Sequence, residues 1–205
     1  MADSGWDDVV SVVSSAPYPV EVLPVDPLAA QQCLAALGIT PRSWLGAVVA
    51  NSGGLLIDHG WLRVLGCGYG GLPAVDANAD DGRVTVGYDV LGGWFTWQCA
   101  AGSVRPTVHY FAPDDLEWQD LELGYADWLE PMLGGAVTAF YDGLRWPGWE
   151  SEVGAVAVDQ ALSTVPPPWT LEGKDLATVS RKAIPLRQLV SVHQAMARQL
   201  GPPPS

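Results

Sequence analysis

Asp58, His59, Trp61 and Arg63 bring a carboxylate, an imidazole, an indole and a guanidinium within six positions of LLIDHGWLRVLG, the densest group of chemistry-bearing side chains in this 205-residue chain. On a strand, alternation places Asp58, Gly60 and Leu62 on one face and His59, Trp61 and Arg63 on the other. That predicts a polar-aromatic patch and argues against a His–Asp dyad, because adjacent strand residues point apart. Together with Arg145, Trp146 and Trp149 of LRWPGW, these residues would line a cleft for a small molecule. The competing role is structural, with Arg63 paired to an acid and Trp61 in the core. Ten tryptophans in all are more than packing ordinarily uses. An indole joins a large apolar area to one donor and is enriched at binding hot spots. Trp94, Trp97, Trp118 and Trp128 are accordingly expected to be partly exposed and to serve a protein interface.

Other chemistries lack a foothold. GCGYGG, Gly66 to Gly71, matches G-x-G-x-x-G after an expected strand, with Asp89 about where a ribose ligand would stand. The fingerprint must open a helix that holds the pyrophosphate, and LPAVDANADDG supplies none, so a turn is expected. His59, His109 and His193 lie far apart and no C-x-x-C occurs, which gives no metal-site spacing. Neither a G-x-S-x-G elbow nor a phosphate-binding G-x-x-x-x-G-K-[ST] loop is present. Asp114 and Asp115 sit in APDD, where a turn already accounts for paired carboxylates. No catalytic residue, cofactor or metal is therefore expected, and whether the chain has any enzymatic activity stays open.

The charge pattern narrows the partners. Net charge is −13, with 21 acidic and five basic residues up to Leu171 but two acidic and five basic after it. An acidic body disfavours nucleic acid and anionic membrane, which need clustered Lys and Arg. It suits a basic protein partner, or else serves solubility, with the basic tail packed back on it. No stretch reaches the ~18–20 apolar residues of a spanning helix, the acidic MADSGWDDVV start is unlike a targeting segment, and three widely spaced cysteines suit reduced, buried thiols. A cytoplasmic protein is expected, its oligomeric state undetermined.

These residues must be positioned by a compact chain, rich in turns, with 23 glycines and 17 prolines; its length fits one domain over residues 1–205. A short helix is expected over Trp6–Ser14. Asp26–Gly38 carries the clearest helix signal: Asp26 to cap, Pro27 in the first turn, Gly38 to close. PYPVEVLP reads as extended. SWLGAVVA, LLIDHGWLRVLG, RVTVGYDVLGGWFTWQC, TVHYFAP and LEWQDLEL read as four to six antiparallel strands in hairpins, with a mobile glycine- and acid-rich loop, GCGYGGLPAVDANADDG, among them. YADWLEPMLGG, AVTAFYDGLR and a final IPLRQLVSVHQAMARQL have helical spacing, before a frayed GPPPS end. The expected class is α+β: an antiparallel β-sheet meander with helices packed on one side.

The segments PVEVLPVDP, LGAVVANSGGLLIDHGWLRVLGCG, GYDVLGGWF, VHYFAPDDLEW, LGYADWL and FYDGLRWPGWE together resemble a bacterial domain-of-unknown-function family, number 2625, nearly end to end. That resemblance implies no activity and no catalytic residues; the ANADDG insert and the PPPW stretch are where members would vary. YDVLGGWF, TVHYFAP and GYADWLEPML also resemble, more distantly, motifs of the SUKH superfamily of immunity proteins. That similarity implies an α+β domain that neutralises a partner such as a basic toxin by binding, without catalysis. The leading expectation is a non-catalytic protein-binding module; the alternative is a small-molecule-binding protein or enzyme with the Trp/Arg cleft.

Overall fold

The computed structural model describes residues 5–75, 82–99 and 105–201; residues 77–81 of the ANADDG insert, and the final PPPS with its expected fraying, lie outside them. Seven strands form one antiparallel sheet in chain order: β1 (Val20–Leu23), β2 (Gly54–Ile57), β3 (Leu62–Leu65), β4 (Val84–Asp89), β5 (Trp94–Cys99), β6 (Pro106–Phe111) and β7 (Trp118–Asp120). The expected α+β meander is therefore present, longer than the four to six strands anticipated. A separate antiparallel pair, β8 (Gln160–Val165) and β9 (Ser180–Pro185), completes the strands.

Helix α1 spans Gly5–Ser14 and α2 spans Pro27–Leu37. The ends of α2 follow from local chemistry: the Asp26 carboxylate accepts from the amides of Leu28 (2.9 Å) and Ala29 (3.2 Å), and Gly38 closes the helix at φ 64°. SWLGAVVA, expected as a strand, is instead helix α3 (Trp44–Asn51). A short apolar run reads equally well as a buried strand or a buried helix. The Ser43 hydroxyl accepts from the Gly46 amide at 3.1 Å and starts the helix, and Gly46 allows the turn to close, since a Cβ there would stand 1.9 Å from the Thr40 carbonyl oxygen.

LLIDHGWLRVLG is likewise not one strand but the β2–β3 hairpin. Asp58, His59 and Gly60 turn the chain at φ of 55°, 60° and 83°, so the strand alternation expected through them is broken. Leu55, Ile57, Leu62 and Val64 pair across the hairpin and are fully buried. Arg63 pairs with Leu56 and Tyr88 and faces the other way.

Helices α1, α2, α3 and α4 (Tyr125–Pro131) pack on one another, and α4 lies against β6. Tyr125, Trp128 and Leu129 of α4 are buried together, as their spacing predicts, and Trp128 meets Phe95 of β5 at 5.0 Å. A π-turn, the short α5 (Val137–Phe140) and a 3₁₀ turn extend this layer to Leu144. After α6 (Trp149–Gly154), β8 and β9 lead into α7 (Leu186–Leu200), which the sequence placed as a final helix without locating it. This unit docks by the carbonyls that Arg63 holds and by the Leu162 amide, which donates to Val90 at 2.7 Å.

Candidate functional site

Of the sequence-predicted cleft residues, Trp61, Arg145, Trp146 and Trp149 come together as a filled cluster, with His59 at its edge and Arg63 outside it. Trp61 is 0% exposed, and its ring lies 5.6 Å from Tyr141, 5.6 Å from Trp146 and 5.1 Å from Trp149. The Arg145 guanidinium sits 5.4 Å from the Trp61 ring and 4.3 Å from the Trp149 ring, and it donates to the Asp58 carboxylate. His59 presents its edge to Trp149 at 5.7 Å from the exposed turn. On the far side, the Trp146 indole donates to Glu152 at 2.9 Å, and Arg181 both pairs with Glu152 and covers the Trp146 ring at 4.4 Å. Cations thus alternate with indole faces, an arrangement that stabilises through ring quadrupoles and apolar burial. The β2–β3 turn, α6 and β9 are clamped together this way, and Trp61, Trp146 and Trp149 are all buried. The tryptophan part of the expected cleft is thus a packed joint, because the turn at Asp58–Gly60 folds Trp61 inward, while His59 and Arg63 line a smaller cavity of about 200 Å³ with Glu21 and Val158.

Arg63 belongs to a different neighbourhood. It is 1% exposed, its Nε donates to Gly60 at 3.2 Å, and its Nη1 donates to the carbonyls of Val158 (3.2 Å) and Gln160. It pairs with no carboxylate directly. Burial lowers its pKa to about 10, against the pull of Asp89 and Asp159, so the guanidinium stays charged at neutral pH. Replacing Arg63 by Met strands these carbonyls and should cost about 2–4 kcal/mol. Amide exchange should then quicken in β8 before β4–β6; unchanged exchange in β8 would contradict the anchoring role. Lys should not restore it, since one ammonium cannot reproduce the fork.

Asp89, weighed as a ribose ligand, instead organises the β4–β5 turn. It is completely buried; Oδ1 accepts from the amides of Leu91 and Gly93 (both 2.9 Å) and Oδ2 accepts from the Tyr110 hydroxyl at 2.7 Å. Burial raises its pKa to about 6, offset in part by those bonds. GCGYGG is a turn bridged between Tyr69 and Leu72. Among the described residues no group of three or more His, Cys, Asp or Glu could hold a metal ion.

The four interface tryptophans divide. Trp128 and Trp94 are buried, contrary to the expected exposure: the first fills the space above Gly87, the second stacks on Phe111 at 4.2 Å. Trp97 is half-buried on β5. Trp118 alone of the four is well exposed, at 41%. It sits on β7, the last strand of the sheet, with its indole edge-on to Trp94 (5.1 Å) and the Arg83 guanidinium 5.7 Å from its ring. Asx turns bracket the strand, the Asp115 carboxylate accepting from Glu117 (2.8 Å) and that of Asp120 from Glu122 (2.9 Å). Asp115, Glu117, Asp120, Glu122, Asp127 and Glu130 are all exposed, and no Lys or Arg occurs between Pro106 and Leu144.

Sequence reasoning missed several participants. Arg181 lies far from WPGW on β9, Glu152 lies only three residues past it on α6, and Tyr141 was read only as part of a helix. The acidic run around Trp118 was visible in LEWQDLEL, but its place on a sheet edge was not.

Comparison with known proteins adds kinship without activity. A family model described as "Protein of unknown function DUF2625" matches residues 1–189. A putative uncharacterized protein YbfG of Escherichia coli (strain K12) is 33% identical over 202 residues, covering 95% of this chain and 92% of the relative. An uncharacterized protein of Haemophilus influenzae is 31% identical over 175 residues, covering 80% and 77%. No solved structure matches.

Proposed function

Since the chain belongs to the DUF2625 family, which brings no activity with it, we propose from the geometry that it is a non-catalytic binding module of immunity type, docking a basic protein along the β7 edge. The observation that carries this reading is the exposed Trp118 on an outermost strand among exposed carboxylates. An outer strand offers unpaired backbone groups to an incoming segment. The acids steer a basic partner to that edge and repel acidic ones, and an indole supported by Trp94 and Phe111 is a rigid anchor of the kind that dominates interfaces. The brevity of β7 and its carboxylates also guard the edge against self-pairing. Neutralisation then comes from covering the partner's surface.

The test compares protein retained from native cytosol by the tagged wild type and by two variants, Trp118→Ala and Glu117→Lys/Glu122→Lys, at low and high salt. A basic protein held stoichiometrically by the wild type, released by salt, and weakened about 30-fold or more by Trp118→Ala, the scale of a hot spot, is the expected result. A partner that both variants retain equally would overturn the edge as the docking surface.

A further inference from the structure

A cavity of about 470 Å³ lies between β8, α7 and the proline-rich loop that joins β8 to Trp169, with Leu91 of the β4–β5 turn among its walls. Leu162, Trp169, Leu189, Val192 and Met196 make the rest of it mainly apolar, and neither Lys nor Arg lines it. The cavity is open to solvent where Val165 and Val192 are exposed, and its apolar inner walls forfeit the dispersion contacts that close packing would supply. Here the loop is braced from within and stands off α7. The Thr170 hydroxyl donates to the Pro167 carbonyl at 2.7 Å and accepts from the Gly173 amide at 3.1 Å; the Thr164 hydroxyl donates to Pro166 at 3.0 Å. Gly173 is needed for the brace, since a Cβ would stand 1.8 Å from the Pro167 oxygen. The lining threonine hydroxyls are thereby committed to the loop itself.

Besides the half-buried Ser163, His193 is the polar side chain left over. It is 1% exposed, lines the cavity, and meets the Trp169 ring edge-on at 5.2 Å. Its Nδ1 lies 3.3 Å from the Gly92 carbonyl oxygen. A carbonyl only accepts, so Nδ1 carries the proton and Nε2 presents a lone pair. Nε2 has no protein partner among the described residues. An apolar chamber with one convergent acceptor is how a small-molecule site fixes orientation.

We propose that this cavity binds a neutral, mainly apolar small molecule carrying one hydroxyl or N–H donor, which His193 Nε2 accepts. An anionic ligand is disfavoured by the absence of a cation in the walls and by the chain's charge of −13. The site shares no residue with the β7 edge and does not depend on the reading of that edge.

The probes are 2-naphthol, 2-methoxynaphthalene and 2-naphthoate, titrated against the full chain by calorimetry. The expected result is saturable binding of 2-naphthol, about five- to tenfold tighter than its methyl ether, the worth of one hydrogen bond, with 2-naphthoate weaker than both. His193→Phe should erase the preference for naphthol over the ether while apolar binding persists. Met196→Trp, at a half-buried wall position, should fill the chamber and abolish binding of all three probes; thermal unfolding checks that both variants fold. Equal affinity of the wild type for naphthol and its ether, no binding of naphthol, or unchanged binding by folded Met196→Trp would each overturn the proposal.

Discussion

Trp61→Ala lowers the unfolding free energy by about 3–5 kcal/mol, the range for deleting a large buried aromatic. The residue is fully buried and touches Tyr141, Trp146 and Trp149 at once, while Arg145 stacks over its ring. Its loss opens a cavity and also removes one of the two rings that hold Arg145 against Asp58. Trp61→Phe should cost less than half as much, because the indole N–H is buried without a hydrogen-bond partner and its removal strands nothing. Chemical denaturation of both variants separates the cases. If Ala and Phe cost the same, the ring contacts are not what stabilises this joint. The comparison also bears on function: a folded Trp61→Phe protein that still binds its partner at the β7 edge would confirm that the aromatic joint supports the fold and not the docking.

The second large effect concerns pH, and it is hidden in the wild type. Asp89 and His193 grip the same β4–β5 turn from two sides, Asp89 through the Leu91 and Gly93 amides and His193 through the Gly92 carbonyl. Burial drives their pKa values in opposite directions. Asp89 rises from 3.8 to about 6, so the native state binds more protons than the unfolded one between those values. Its contribution to stability is full below the unfolded value and is lost as pH climbs through 6. His193 falls from 6.5 to about 4, so the native state binds fewer protons across that window. Its contribution is present above 6.5 and lost as pH falls through 4. At about 1.4 kcal/mol per unit, each term amounts to about 3 kcal/mol, and between pH 4 and 6 the two nearly cancel.

Substitution should unmask them. Asp89→Asn keeps an oxygen for the two amides and offers Tyr110 a donor in place of an acceptor. The variant should lose stability on acidification from pH 6.5 to 4, a range over which the wild type stays nearly level. His193→Gln should do the reverse and lose stability as pH rises from 4 to 6. Denaturation midpoints measured across this range decide the matter. Parallel pH profiles for the wild type and both variants would show that neither group's titration is coupled to folding. Because His193 also lines the apolar cavity, its neutrality at pH 7 is the condition under which Nε2 can accept from a ligand.

The two proposed surfaces meet α7 at different points along its length. The cavity opens on the side formed by Leu189, Val192 and Met196, whereas Ala197 and Leu200 at the helix end lie beside Leu116 and Trp118. A single amphipathic helix thus borders both the small-molecule chamber and the edge proposed for a protein partner.

Where the controlling chemistry lies within a few residues, the sequence by itself determined the outcome. Asp26, Pro27 and Gly38 bounded α2; the Gly92–Gly93 turn joined β4 to β5; Tyr125, Trp128 and Leu129 shared a buried helix face; and the acidic run around Trp118 was plain. Tertiary structure alone decided whether SWLGAVVA became helix or strand, because a short, mainly apolar run buries equally well either way until α1 and α2 pack against it. It also decided that Asp58–Gly60 is a turn, which carried Trp61 inward among Tyr141, Trp146 and Trp149 and left Arg63 to anchor the β8 segment. Burial of Trp94 and Trp128, exposure of Trp118, and the chamber around His193 each depend on segments far apart in the chain. A cap or a turn is a hydrogen bond between near neighbours and can be read locally; solvent exposure is set by whatever packs across the space, and only the folded chain brings that together.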